Sequence, residues 1–400
     1  MMPAPVIYHN SAIDPFAHLA NAQKTTTTKV FYATNRTTES NGIEQQYGNS
    51  IDSAVHLGVA TVQMGDHRTD WADLYQYSLA EKHASSMPIK LDRVTELSAM
   101  STIFSAGADN LSPELQRFLD SINKEIASAV DKEIMIYVHG AKVDFANSAI
   151  LTAEVDHFAG RDFVGLAFAW PSHRNILAYL TGIDVKNALD SSQALQSLLI
   201  LLAEHTNAEH INILSYSAGG KVSSKALFEL RQSFADLSAA QLKEKFRIGA
   251  VVLAAIDVEV GVFLDRAPSI SDIASQVVVT VNDNDHALKA ARQFMGGEVR
   301  AGSAEAEVLE EEFIVGQQLA NVEIIDVSIG HKIRGFDIEG HHYWYRHPWM
   351  SSDIVFLMRT DLPPASRGLS PAEMEGVWYL SPDYPEKIRD AAAAELKGQW

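Results

Sequence analysis

The chain has 400 residues, 46% of them hydrophobic, so it can bury a large core as one big domain or two average ones. Its 32 Lys and Arg against 51 Asp and Glu give a formal net charge of -19, which argues against nucleic acid or anionic membrane as a partner because phosphate recognition needs a basic surface. It has no cysteine, which removes a disulfide framework, a thiol nucleophile and a thiolate metal site, and no apolar run approaches the roughly twenty residues that span a bilayer.

Residues 1–28 are polar and unpatterned, with a threonine run at Thr25 to Thr28, and are expected to form an extended or mobile lead-in. Val30 to Thr34 and His56 to Val62 predict two strands, antiparallel neighbours at one sheet edge. No clean period emerges between Asp66 and Thr102, and residues 66–111 are expected as an irregular surface insertion or cap. Ser112-Pro113-Glu114 then supplies an N-cap, a proline at the first helical position and an acidic first turn. Leu115, Phe118, Leu119, Ile122 and Ile126 follow as one apolar stripe, so this helix faces a core.

Short, almost wholly apolar runs recur at Ile134 to Val138, Val164 to Ala169, Ile211 to Leu214, Ala250 to Ala255, Val277 to Val281 and Val322 to Ile325, separated by helix-length segments. Strands that lack polar alternation are covered on both faces, which predicts an α/β fold: a mostly parallel twisted sheet with helices on each side. Residues 29–360 would form that single domain, with 361–400 as an extension packed on it. The acidic stretch Glu305 to Glu312 reads as a solvated helix face. The long connection 286–318, which contains Gly296-Gly297, is expected to lie partly over a site and shape its pocket.

In such sheets functional residues gather at the carboxyl ends of the strands. There, Ile211 to Leu214 runs into Ser215-Tyr216-Ser217-Ala218-Gly219-Gly220 and an amphipathic pattern of Val222, Ala226, Leu227 and Leu230. Strand, small-residue turn and helix in that order form the setting of a nucleophile elbow, with Ser215 in place of the usual first glycine. Two strands later comes Asn282-Asp283-Asn284-Asp285, and after the next strand Gly340-His341-His342-Tyr343-Trp344-Tyr345-Arg346-His347. Serine, acid and histidine in this order suit acyl transfer, because a serine hydroxyl needs an imidazole to take its proton and a carboxylate to fix that imidazole's tautomer. Ser217, Asp285 and His341 fill those roles; Asp283 and Asp257 compete for the acid, and His342 for the base. Gly340 lets the loop bend back over the strand ends, which favours His341. His139-Gly140-Ala141 supplies the other part, an oxyanion hole formed by the backbone N–H groups of Ala141 and Ala218, with His139 itself structural. Tyr216, His342 and Trp344 are candidate substrate contacts, with Tyr345 and Trp349 further candidates for the pocket wall.

Together, Val30 to Arg36, Tyr137 to Gly140, Phe168 to Ser172, Ser215 to Gly219, Asn284 to Leu288 and Gly340 to Tyr343 resemble the bacterial α/β-hydrolase family known as domain of unknown function 900, over about Val30 to Met358. The resemblance implies an α/β-hydrolase fold with a serine nucleophile, and favours Asp285 over Asp283 and His341 over His342. Relatives commonly carry His before the nucleophile and Met after it; Tyr216 and Ala218 depart from that, which bears on pocket shape.

The expected activity is hydrolysis of a small carboxylic ester of short or medium acyl length, with no cofactor. Two other classes stand beside it: a metal-dependent hydrolase using His341, His342 and His347 with Asp283 and Asp285, and a non-catalytic binding module on a hydrolase scaffold. No basic segment followed by an apolar one appears at the start, so a cytoplasmic location is expected, a trimmed exported protein being equally compatible. The oligomeric state is open.

Overall fold

The computed structural model describes the chain apart from residues 12, 41–44, 84, 108–109, 284, 296–298, 305–318, 329–339 and 397–400. Eleven strands form one sheet: β1 (Thr27–Ser40), β2 (Gln45–Met64), β3 (Ile89–Ser101), β4 (Glu133–Val138), β5 (Val164–Phe168), β6 (His210–Tyr216), β7 (Ile248–Ala254), β8 (Ala274–Val281), β9 (Val322–Asp326), β10 (Ser370–Pro371) and β11 (Val377–Tyr379). Their order is β10-β11-β9-β8-β7-β6-β4-β5-β1-β2-β3. Every pairing from β1 through β5, β4, β6, β7, β8 and β9 to β11 is parallel; only the outermost hairpins are antiparallel.

The central strands are apolar throughout because each side of the sheet is covered and successive residues point to opposite faces. Ile136, Ile213, Val251 and Val279 pack on one face against Phe118, Leu198, Leu227 and Ile270 from the helices Pro113–Ser128, Ser192–His205, Gly219–Ser233 and Val260–Ile273. Their chain neighbours Tyr137, Leu214, Val252 and Val278 pack on the other, against Met350 and Ile354 of Pro348–Arg359 and Ile388 of Tyr384–Glu395. The helix read from Ser112 spans Pro113–Ser128: the Ser112 hydroxyl accepts from Leu115 N, and all five stripe residues are buried.

Several expectations are corrected. The first 28 residues are no mobile lead-in: they carry a 3-10 helix, Val6–Ser11, and bury Val6, Ile7, Tyr8, Ile13, Phe16 and Leu19. Their spacing is irregular because the 3-10 helix and Phe16 pack against several helices at once. The supposed irregular insertion holds the helix Trp71–Leu79 and the 13-residue strand β3, so β1 and β2 pair as expected but the sheet edge belongs to β3. Pairing of β3 with β2 shifts register twice, at Leu57/Gly58 and Thr61/Val62, and each bulge breaks the alternation by which a strand is recognised. The C-terminal residues also enter the sheet, since Val377 to Tyr379 pair in parallel with Ile324 to Asp326. Of the connection after β8, the helix His286–Met295 and residues 299–304 are described; Gly296-Gly297 and the acidic stretch lie outside the described residues.

Candidate active site

Ser217 sits on the turn between β6 and the helix Gly219–Ser233, with φ at 53°. A left-handed conformation is strained for a residue with a side chain. Surrounding contacts fix it here: Ser217 N donates to Ala254 O at 3.0 Å, Asp257 N to Ser217 O at 3.1 Å and Gly220 N to Ser217 O at 3.0 Å. The two glycines that follow are required by packing. A Cβ on Gly219 would stand 2.4 Å from Val138 O and 2.7 Å from His139 O, and one on Gly220 2.6 Å from Ile256 Cγ2. Ser215, at the position where the usual pattern has glycine, fits fully buried.

The side chain of Ser217 meets His341. Oγ lies 2.6 Å from Nε2, and the other ring nitrogen, Nδ1, lies 2.6 Å from Oδ2 of Asp285. Asp285 is fully buried at the start of His286–Met295, where its second oxygen, Oδ1, accepts from Ala287 N and Leu288 N, each at 3.0 Å. Both oxygens are therefore occupied, so the carboxylate cannot rotate away from the imidazole without losing the helix cap. Gly340, at φ 76°, turns the chain just before His341. A serine hydroxyl, an imidazole and an anchored carboxylate in this line can move a proton from oxygen to nitrogen while stabilising the resulting imidazolium.

The competing residues lie elsewhere. Asp257 is buried but turned to the Tyr179 hydroxyl and to Arg300, whose Nε is 2.9 Å from Oδ1. Asp283 is exposed. His347 caps Pro348–Arg359 by accepting from Trp349 N, and His342 Nδ1 faces the Tyr216 hydroxyl at 2.5 Å. The supposed metal cluster is thus dispersed, and among the described residues no group of three or more His, Asp or Glu is placed to hold an ion. Trp344 is corrected as a substrate contact: it is 1% exposed and packs on Tyr137, Tyr216 and Tyr345, so it belongs to the core. Trp349 packs against Tyr384.

Gly140 brings the early loop up to the turn, where an added Cβ would lie 3.0 Å from Ser217 Cβ. Ala141 follows Gly140 in that loop, and Ala218 follows Ser217 at the start of the helix Gly219–Ser233. Behind the loop, His139 is fully buried, stacks on Trp170 with ring centroids 5.0 Å apart, and sits 2.8 Å (Nδ1) from Gly140 O. Burial first, and the Arg36 guanidinium second, push its pKa down to about 3. Arg36, the last residue of the motif Val30 to Arg36, has a role that its sequence setting does not reveal. Buried within β1, it donates to Ala169 O (3.2 Å), Gly48 O (2.9 Å), Ser172 O (3.3 Å) and Val143 O (2.9 Å), tying the Gly140 loop to β1, to β2 and to the segment that follows β5. A cation buried among carbonyls cannot be read from spacing. Beside this hub lies a groove of about 870 Å³ lined by Arg36, Tyr47, Asp144, Phe145, Ser172 and Arg174 among others.

Residues 116–353, well over half of the chain, match the model of a family described as alpha/beta hydrolase of unknown function, DUF900. The chain belongs to that family. This α/β hydrolase finds no match among curated proteins. Of solved structures it is similar to an inhibited esterase B from Lactobacillus rhamnosis, at 15% identity and a TM-score of 0.31, over 57% of this chain and 75% of that one. It is also similar to the acylaminoacyl peptidase of Pyrococcus horikoshii, at 9% identity and a TM-score of 0.31, over 80% of this chain and 57% of that one. Among the described residues of the hydrolase no helix is long and apolar enough to cross a membrane.

Proposed function

We propose that this α/β hydrolase is a serine hydrolase that cleaves small carboxylic esters of short or medium acyl length through an acyl-enzyme. The observation that carries the reading is the unbroken line from Ser217 Oγ through His341 to Asp285, with both contacts at 2.6 Å. In this reading His341 Nε2 takes the proton of Ser217 as Oγ bonds to the ester carbonyl carbon. Asp285 holds Nδ1–H and stabilises the imidazolium. The negative charge that develops on the carbonyl oxygen is met by the N–H groups of Ala141 and Ala218, which act without reorganisation because their loops are fixed. His341 then returns the proton to the leaving alkoxide as the carbon–oxygen bond breaks. A water enters the same line and gives a proton to His341 as its oxygen bonds to the acyl carbon, and His341 passes that proton to Ser217 Oγ as the carbon–Oγ bond breaks and the acid leaves.

Ser217 is only 7% exposed, which suits a small-molecule ester. The dispersal of His342 and His347 weighs against the metal-dependent reading, and a turn strained at Ser217 weighs against a mere binding scaffold, which has no need of it. The test is a screen of p-nitrophenyl esters of graded acyl length, with the corresponding thioester, lactone and anilide. Turnover that peaks at short or medium esters and vanishes in Ser217→Ala supports the proposal. Equal turnover by Ser217→Ala contradicts it.

A further inference from the structure

His341 is delivered by a loop, and a base on a loop needs something to hold it within a fraction of an ångström of its nucleophile. One anchor lies before it: the fully buried Asn282 donates from Nδ2 to Gly340 O at 3.1 Å. The other lies after it. Tyr216, the residue before Ser217, places its hydroxyl 2.5 Å from Nδ1 of His342, the residue after His341. The two bonds Ser217–His341 and Tyr216–His342 therefore span the same gap between β6 and the histidine loop, side by side. We propose that the Tyr216–His342 hydrogen bond is a clasp that sets His341 in register with Ser217, making Tyr216 and His342 positioning residues. The proposal rests on the reading of Ser217, His341 and Asp285 as the reacting groups.

The surroundings of the clasp are built for it. Tyr216 is 4% exposed, and its ring is confined by His341 at 5.0 Å, Trp344 at 5.8 Å and, near-perpendicular, Tyr345 at 6.1 Å between centroids. The phenol thus reaches the loop from a fixed direction and loses little freedom in bonding. Donor and acceptor are also matched. Burial raises the Tyr216 hydroxyl well above its ordinary range, keeping it protonated. Partial burial, with His341 and Arg346 nearby, lowers His342 to about 4, keeping the ring neutral, and in the tautomer that carries its proton on Nε2 the Nδ1 lone pair accepts from the hydroxyl. A substrate-binding role for the same two residues, as the sequence suggested, would leave these groups directed at the ligand; they are directed at each other.

Tyr216→Phe removes the hydroxyl and keeps the ring. A misplacement of about 1 Å at a reacting pair costs up to about a hundredfold in rate, so kcat for an activated ester should fall roughly 10- to 100-fold with KM within about twofold. The rate of fluorophosphonate labelling at Ser217 should fall in parallel. His342→Leu, at a position that keeps part of its surface in solvent and so opens no core cavity, should show the same loss. His342→Asn, whose side-chain oxygen can accept near the Nδ1 position, should recover most of it. Tyr216→Phe and His342→Leu with kcat within twofold of the wild type, or with raised KM at unchanged kcat, overturn the clasp. Failure of the wild type to label at Ser217 overturns the triad reading and the clasp with it, whereas a labelled wild type with unimpaired variants overturns the clasp alone.

Discussion

Asp285→Asn isolates the tautomer problem at the centre of the proposed mechanism. The replacement is nearly isosteric, so the question is which way the amide faces. Oδ1 of Asp285 accepts from two helix N–H groups, Ala287 and Leu288, while Oδ2 accepts from one ring N–H. Turning the amide nitrogen toward the helix would strand the buried Leu288 N–H, at about 1–3 kcal/mol, and set NH2 against the more exposed Ala287 N–H as well; turning it toward His341 offends one. The amide therefore keeps its oxygen on the helix cap and presents NH2 to Nδ1. His341 must then accept at Nδ1 and carry its proton on Nε2, where it can only donate to Ser217 Oγ and cannot take the serine proton. The expected loss in kcat is about 10⁴-fold, the scale known for the wrong tautomer in a serine triad, or about 5.4 kcal/mol at 1.36 kcal/mol per tenfold. The retained cap should keep the thermal midpoint close to that of the wild type. Steady-state turnover of a p-nitrophenyl ester, beside a thermal melt, measures both. A folded Asp285→Asn enzyme within tenfold of wild-type kcat would refute the reasoning, and normal activity is expected of Asp283→Asn because that side chain is exposed.

Gly219→Ala should lower the thermal midpoint and abolish activity together, because the new Cβ at 2.4 Å from Val138 O meets backbone that cannot swing aside; a melt unchanged within 1 °C would show that the helix can shift. The His139 ring, held neutral with a pKa of about 3 against an ordinary 6.5, binds fewer protons folded than unfolded between those values. Its contribution to stability is complete above pH about 6.5 and is lost as pH falls toward 3. His139→Gln should therefore show a shallower decline of thermal midpoint across that window than the wild type, and parallel curves would contradict the assignment. Arg36→Met should lower kcat for ester turnover more than it changes KM, since it leaves the Val143 carbonyl of the Gly140 loop held by the Ser172 hydroxyl alone; the opposite split would detach Arg36 from that loop.

The central fold was legible because burial on both faces leaves uninterrupted apolar strands, and Ile134 to Val138 or Val251 to Ala254 are too short for helices and recur between helix-length segments. Its margins were not, for reasons visible in particular residues. Ile89, Leu91 and Val94 belong to one strand, but a bulge between Leu91 and Arg93 disrupts their period. Val377 to Tyr379 is too short to register as a strand until β9 is beside it. Ile7 and Phe16 are core residues without a repeat, since their partners come from distant helices. At the site, chain order pointed to Ser217, Asp285 and His341, and turn chemistry to Gly340. What order cannot carry is direction: that Asp257 turns to Arg300, that Trp344 turns into the core, and that Tyr216 meets His342 are consequences of how the strands and the histidine loop pack.

The most direct measurement is labelling of the intact protein with a fluorophosphonate, read by mass spectrometry of its peptides. One adduct is expected, on Ser217, formed in proportion to the loss of esterase activity and absent from both Ser217→Ala and His341→Ala. An unlabelled protein that still turns over esters, or one whose activity survives full labelling and is lost to a chelator, would contradict a serine-based mechanism.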